Sequence, residues 1–203
     1  MNRFDKIFNG VIIGSVAPIL LFLSGWWISF PFVEEKNIYI FMLGGLIAGL
    51  IVDMVFLKNI IVKAYLLKNY QLIGLYLFFS TCIYGFFMGV PVFNTAMGIL
   101  AGIYMGRKMI IEKSTDINLN KKVRDVSLFT SLILFLFCIS SGLIAMIDDY
   151  TALNLEGMFK LPFKVTDFHI VIMIASGTVF LVVFQYFLTY FTCRQVLKMN
   201  REI

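Results

Sequence analysis

The chain has 203 residues, of which 60% are hydrophobic and 14% are charged, and its formal net charge is +5. A soluble domain carries about 25% charged residues, so this composition excludes an ordinary soluble globular protein. The cations stand at the ends of apolar segments instead of on one polar face, so the positive charge does not indicate a nucleic acid partner.

Six apolar segments have the length that a transmembrane helix needs, about 20 residues. They cover about residues 8–30, 38–57, 72–90, 92–109, 126–147 and 169–191. The sequence therefore predicts an all-α fold, a polytopic membrane bundle of six transmembrane helices that forms a single transmembrane domain over residues 1–203. The first expected partner is the lipid bilayer.

The first segment is too long for the apolar region of a signal peptide, and no small-x-small cleavage site follows it. We therefore expect a retained helix. Pro18 inside this helix predicts a kink near Val16 and Ala17, because proline has no N–H for the helical hydrogen bond. Trp26 and Trp27 end the helix at the expected outer membrane surface.

The second segment places Gly45, Gly49 and Asp53 at four-residue intervals, on one side of a helix. Glycine at this spacing lets two helix backbones approach closely. Asp53 is the only ionisable group that the predicted spans place inside the hydrocarbon, where a carboxylate costs about 2.5–3.5 kcal/mol. We therefore expect Asp53 to face protein or water.

The fourth segment continues this pattern with Gly98, Gly102 and Gly106, and its Gly-Ile-Leu-Ala-Gly run is similar to Gly-Leu-Ile-Ala-Gly in the second segment. One interpretation is that both glycine faces are helix-packing surfaces, as in a glycine zipper. The other is that two helix hairpins are related by duplication, with a solute pocket between the matched helices.

Alignment of the two glycine runs sets Asp53 level with Gly106, one residue before Arg107. The sequence therefore predicts an ion pair between Asp53 and Arg107 or Lys108. Three roles stay open for the carboxylate: an ion pair that fixes helix register, a proton or cation site along a pathway, or a side chain that snorkels to the membrane interface.

Two amide side chains complete the candidate residues for a substrate or ion pathway, which are Asp53, Asn94 and Gln185. Asn94 lies near the start of the fourth segment, and Gln185 lies inside the sixth. A buried amide either binds a polar solute or forms a hydrogen bond across helices.

The expected orientation follows from the positive-inside rule. Of the 17 Lys and Arg residues, only Lys36, Lys160 and Lys164 stand on one side of the predicted spans. We therefore expect both termini in the cytoplasm of a multi-pass cell membrane protein, most simply in a prokaryotic cytoplasmic membrane. Residues 113–122 are expected to form a polar cytoplasmic loop, and the apolar loop 148–168 to lie on the outer surface or cap the bundle.

The sequence contains no enzyme signature, since it has no HExxH, GxSxG, Walker A or GxGxxG motif. Its three cysteines make no CxxC pair, and its single histidine has no carboxylate cluster beside it. We therefore expect no catalytic residue, no metal and no cofactor, and no enzyme activity.

The glycine-rich second helix with Gly45, Gly49 and Asp53, together with six spans and cytoplasmic termini, resembles the substrate-binding membrane subunits of energy-coupling-factor vitamin transporters. Gly10 and Gly14 in the first helix add a small-residue pair, where that family tends to have alanine. The resemblance implies a membrane subunit that binds a small molecule and works with a partner ATPase. It carries no vitamin-binding residue over to this chain.

Two functions are expected from these patterns. The first is solute transport, as a small-molecule or ion carrier or as the membrane substrate-binding subunit of a transporter. Because the chain has no nucleotide motif, energy would come from an ion gradient, from a partner ATPase, or from no source if transport is facilitated. The alternative is a non-catalytic subunit or assembly factor of a larger membrane complex, whose glycine faces bind a membrane protein partner or a second copy of the chain.

Overall fold

The computed structural model describes residues 3–112, 116–160 and 162–199, and every regular element among them is helical. The prediction of an all-α chain is confirmed. Four helical stretches are long and apolar enough to cross a membrane: Arg3–Ser29, Glu35–Val62, Leu119–Ile147 and Asp167–Met199. They correspond to the first, second, fifth and sixth predicted segments.

The chain divides into two compact units, Met1–Lys68 and Asn69–Ile203, and each has its own helix packing. The first unit contains α1 (Arg3–Gly14), α2 (Val16–Ser29) and α3 (Glu35–Val62), followed by a short 3₁₀-helix, Ala64–Leu66. The single transmembrane domain that the sequence predicts stays a prediction.

The boundary between α1 and α2 lies at Ser15, next to the predicted kink. Pro18 has no N–H, so the carbonyl of Gly14 lacks its helical donor at this point. The neighbouring bonds persist, since the Ser15 N–H donates to the Val11 carbonyl at 3.1 Å and the Ile19 N–H donates to the Ser15 carbonyl at 3.1 Å. The interruption is therefore local to the proline.

Glycine sets the contact between α2 and α3. A Cβ atom added to Gly45 would overlap the carbonyl oxygen of Leu21, and one added to Gly49 would overlap the backbone of Pro18. Moving forward along α3 moves the contact backward along α2, so the two helices form an antiparallel hairpin. Their backbones touch directly, because neither glycine has a side chain to separate them.

The second unit contains α4 (Asn69–Phe86), a 3₁₀-helix (Pro91–Asn94), α5 (Thr95–Ile111), α6 (Asp116–Ile147), α7 (Thr151–Phe159) and α8 (Asp167–Met199). α8 packs against both α5 and α6, and α5 also contacts α6. The turn between α4 and the 3₁₀-helix uses left-handed backbone at Met88 (φ 54°) and Gly89 (φ 79°). Pro91 begins the 3₁₀-helix, in keeping with the predicted turn.

The second glycine face, on α5, is covered by α8. A Cβ atom on Gly102 would lie 2.9 Å from Cβ of Thr192, and one on Gly106 would lie 2.9 Å from Cβ of Val196. The faces of Gly45 and Gly102 are thus each filled by a helix of their own unit. The predicted solute pocket between the second and fourth segments would join residues of different units, so it stays a prediction.

The longest extensions beyond the predicted apolar segments belong to α6 and α8. α6 begins at Asp116 instead of residue 126, and α8 continues to Met199 instead of residue 191. The predicted loop 113–122 is therefore helical from Asp116 onward, while residues 113–115 lie outside the described part of the chain. The predicted outer loop 148–168 contains a helix of its own, α7.

Alanine at Gly45 is expected to destabilise the hairpin, whereas alanine at the adjacent Gly44, which has no atom within 4 Å of the added Cβ, is not. Overpacking costs about 1–3 kcal/mol, so Gly45→Ala should lower the free energy of unfolding by that amount. Gly44→Ala should leave it unchanged or raise it, because alanine favours helix. Melting temperatures of both variants in detergent measure the difference, and equal values would refute the direct backbone contact.

Candidate functional site

A group of polar side chains is buried where α4, α5, α6 and α8 meet in the second unit. We call it the polar cluster, and its members, between 0% and 9% exposed, are Tyr76, Ser80, Asn94, Thr130, Gln185 and Thr189. None of the six carries a formal charge at neutral pH. Polar groups buried away from water are costly unless they find hydrogen-bond partners, so the partners of each member decide what the cluster does.

Asn94 lies at the end of the 3₁₀-helix, directly before α5. Its side chain does not cap α5; instead Nδ2 donates to the carbonyl oxygen of Ser80 on α4, at 3.0 Å. This bond joins α4 to the start of α5. The other amide atom, Oδ1 of Asn94, has no hydrogen-bond partner among the described residues.

Gln185 is fully buried on α8 and joins that helix to α5. In the amide orientation that satisfies both neighbours, its nitrogen donates to the Thr95 carbonyl at 3.2 Å and its oxygen accepts from the Gly98 N–H at 3.1 Å. A Cβ atom on Gly98 would overlap the Gln185 amide. Gly98 therefore makes room for a hydrogen-bonding side chain, as well as for a close helix approach.

A hydroxyl pair joins α8 to α6. The Oγ1 atoms of Thr130 and Thr189 lie 3.0 Å apart, and the Thr130 hydroxyl also lies 3.1 Å from the Ser127 carbonyl. Both threonines are fully buried. Through Gln185 and Thr189, one turn apart, α8 is thus hydrogen-bonded to both of its neighbouring helices.

Two buried serine hydroxyl groups in or near the cluster have no hydrogen-bond partner in the described structure. The hydroxyl of Tyr76 lies next to the side chains of Ser80 and Gln185. Nevertheless, the Ser80 hydroxyl is without a partner of hydrogen-bonding geometry in the described structure, as is that of Ser131 on α6. Within the polar cluster, Asn94 Oδ1 and Ser80 Oγ are therefore the two oxygens without a partner of hydrogen-bonding geometry in the described structure.

The structure brings two of the three predicted pathway residues together. Asn94 and Gln185 both belong to the polar cluster, since Gln185 bonds to the carbonyl of Thr95, the residue after Asn94. Asp53 belongs to the first unit, where it is partly buried and its Oδ2 lies 3.7 Å from the place that a Cβ on Gly14 would take. The Asp53 side chain, on α3, thus faces α1.

The predicted ion pair between Asp53 and Arg107 joins residues of different units and stays a prediction. The alternative partner, Lys108, is buried on α5 and lies 3.8 Å from Glu112. Glu112 also pairs with Lys122 at 3.3 Å, so it contacts two cations.

A buried carboxylate in the first unit, Asp5, is not among the site residues predicted from the sequence. Asp5 on α1 is only 1% exposed, and it accepts a hydrogen bond from the Tyr65 hydroxyl at 2.9 Å. Asn9, one turn later and also buried, donates to the Asp5 carbonyl at 2.9 Å. The four-residue spacing of Asp5 and Asn9 is the available signal, but Asp5 precedes the first predicted span, which begins at about residue 8.

Among the described residues, no group of three or more His, Cys, Asp or Glu side chains is placed to hold a metal ion. The chain matches no protein-family model, and no curated protein or solved structure is significantly similar to it. A functional conclusion therefore rests on the polar cluster itself.

Replacing Gln185 with methionine, which has similar volume but no amide, tests the α5–α8 link. Hydrogen bonds between membrane helices contribute about 0.6 kcal/mol each and at most about 1.7, so Gln185→Met should lower the free energy of unfolding by about 1–2 kcal/mol. Gln195→Met, at an exposed position of the same helix, is the matched control and should change little. Denaturant unfolding in detergent measures both, and equal stabilities would contradict the assigned bonds.

Proposed function

We propose that the chain is a multi-pass membrane protein of solute transport whose polar cluster binds a small uncharged polar solute or a monovalent cation. The supporting observation is the pair of buried oxygens, Asn94 Oδ1 and Ser80 Oγ, without a hydrogen-bond partner in the described structure. Leaving such a group buried and unsatisfied costs about 1–3 kcal/mol. A bundle built only for stability gains nothing from them, whereas a bound ligand would satisfy both.

The chemistry of the cluster indicates the class of ligand. Asn94 offers a carbonyl-type acceptor, and Ser80 offers a hydroxyl that both donates and accepts. The absence of a charged side chain among the six members disfavours a strongly charged ligand, since a buried charge needs a partner of opposite sign. A ligand with hydroxyl or amide groups fits, as does a cation that neutral oxygens coordinate. The ligand enters either as cargo of a carrier or as the substrate of a transporter's binding subunit.

The alternative function, a non-catalytic subunit or assembly factor, has less support. It uses the glycine faces for a partner protein, but Gly45 packs against Leu21 and Gly102 packs against Thr192 within their own units. A partner or a second copy of the chain would need another surface.

The proposed topology has six spans, with both termini in the cytoplasm of a prokaryotic cell. α4 and α5 have 18 and 17 residues. At 1.5 Å per residue they reach about 26 Å, close to the hydrocarbon thickness of about 30 Å. Fourteen of the 17 Lys and Arg residues then lie on the cytoplasmic side, as the positive-inside rule requires.

Ser80→Ala separates binding from stability, because the hydroxyl that it removes makes no hydrogen bond to the described residues. We expect unchanged or higher melting temperature, but about tenfold weaker binding, equivalent to about 1.4 kcal/mol. Binding is read as thermal stabilisation of the purified protein by glycerol, erythritol, Na⁺ or K⁺, and flux of the same four probes is measured in proteoliposomes.

The matched control is Ser127→Ala, which removes an equally buried hydroxyl that donates to the Val123 carbonyl, outside the polar cluster. It should bind and transport like the unmodified protein. If none of the four probes binds or crosses, or if Ser80→Ala behaves like the control, the proposed function is wrong.

Cysteine labelling tests the topology at the turn between α4 and α5, in a background whose three native cysteines are replaced by alanine. Phe86→Cys, at a position 83% exposed, should react with a membrane-impermeant maleimide from outside intact cells. Trp27→Cys is the outer control and Lys58→Cys the inner one. Labelling of Phe86→Cys only after the cells are opened would mean that α4 and α5 enter the membrane without crossing it, giving four spans.

A further inference from the structure

A groove of about 560 Å³ lies between the first turns of α6 and residues 186–191 of α8, apart from the polar cluster. One wall, from α6, is polar and basic, and the other, from α8, is aromatic. The lining residues are Asn120, Lys121, Arg124, Tyr186, Phe187, Tyr190 and Phe191. Its α6 wall belongs to the helix extension that hydropathy did not predict, whereas its α8 wall lies inside the predicted sixth segment.

The aromatic wall consists of two rows of rings at four-residue spacing. Tyr186 stacks on Tyr190 with centroids 6.1 Å apart, and Phe187 stacks on Phe191 at the same distance. The two phenylalanines are 50% and 62% exposed, so this wall presents apolar surface outward, where acyl chains surround a membrane helix.

The basic wall contains two cations without a salt bridge to a described acidic residue. Lys121 and Arg124 are three residues apart and therefore share a face of α6. Both are exposed, and neither has an acidic partner among the described residues. The adjacent Lys122 differs, since it is paired with Glu112 at 3.3 Å and does not line the groove.

Arg194 adds a third positive charge at the rim. Its Nη2 donates to Oδ1 of Asn120 at 2.7 Å, and its guanidinium lies 5.0 Å from the ring centroid of Tyr190. Arg194 thus contacts one residue from each wall and holds the two helices together at this end.

We propose that this groove binds an anionic phospholipid of the surrounding bilayer, with its phosphate against Lys121 and Arg124 and an acyl chain along Phe187 and Phe191. Basic pockets between membrane helices on the cytoplasmic side suit anionic headgroups. Arginine adds a planar fork that bonds two phosphate oxygens at once.

The joint presence of both walls favours a lipid over a soluble anion. A free phosphate would use the cations but leave the phenylalanine rows unused, whereas an amphiphile satisfies both. The positive-inside rule accounts for the number of cations at this end, but it does not account for two unpaired cations facing two rows of rings.

The experiment compares the unmodified protein with the double variant Lys121→Gln/Arg124→Gln. Native mass spectrometry and thermal stabilisation are measured with added phosphatidylglycerol or phosphatidylcholine. Each lysine or arginine near an anionic headgroup contributes about 1 kcal/mol, so loss of both should weaken phosphatidylglycerol binding about tenfold or more. Phosphatidylcholine binding should not change. Lys122→Gln, which removes the same kind of charge one residue away, should change phosphatidylglycerol binding less than about twofold, since its cation is already paired.

A second variant tests the apolar wall without changing charge. Phe187→Ala should also weaken phosphatidylglycerol binding, and inorganic phosphate should not compete with the lipid. Since Phe187 is half exposed, this variant stays informative if the double variant fails to fold. The proposal is overturned by equal losses in Lys122→Gln and the double variant, by equal binding of the two lipids, by competition from phosphate, or by an unchanged Phe187→Ala.

Discussion

Direct contact between helix backbones is the interaction on which both units depend. Within hydrocarbon, an apolar side chain gains little by leaving lipid for a neighbouring helix, so attraction comes from close fit and from hydrogen bonds. Gly45 meets the backbone at Leu21 in the first unit, and Gly102 meets α8 at Thr192 in the second. The side chains that are missing at these positions are what allow the helices to touch.

Close approach also makes the polar interior of the second unit possible. Gln185 reaches the backbone of α5 because Gly98 leaves room for its amide. Thr189, one turn further on, reaches Thr130 on α6. These bonds pair Gln185, Thr130 and Thr189, whereas Asn94 Oδ1 and Ser80 Oγ in the same cluster have no hydrogen-bond partner in the described structure.

Local features of the structure could be predicted from the sequence. The helix interruption beside Pro18 and the glycine spacing depend on a few consecutive residues, so the pattern alone indicates them. Which helix covers each glycine face depends on the path of the whole chain, and a period of four residues contains no such information. Hydropathy detects only the apolar part of a helix. α6 begins at Asp116, ten residues before the predicted apolar segment, because helical backbone hydrogen bonds continue through polar residues.

The two glycine contacts also differ in when they can form during synthesis. Leu21 and Gly45 are close in the chain, so the hairpin of α2 and α3 can assemble as soon as both helices have left the ribosome. The contact of Gly98 with Gln185 can form only after more than eighty further residues have been synthesised. Until α8 is inserted, α5 carries an uncovered glycine surface, and Thr130 on α6 lacks Thr189 as its partner. The second half of the chain therefore passes through a stage in which lipid, or an insertion factor, has to cover what α8 covers in the end.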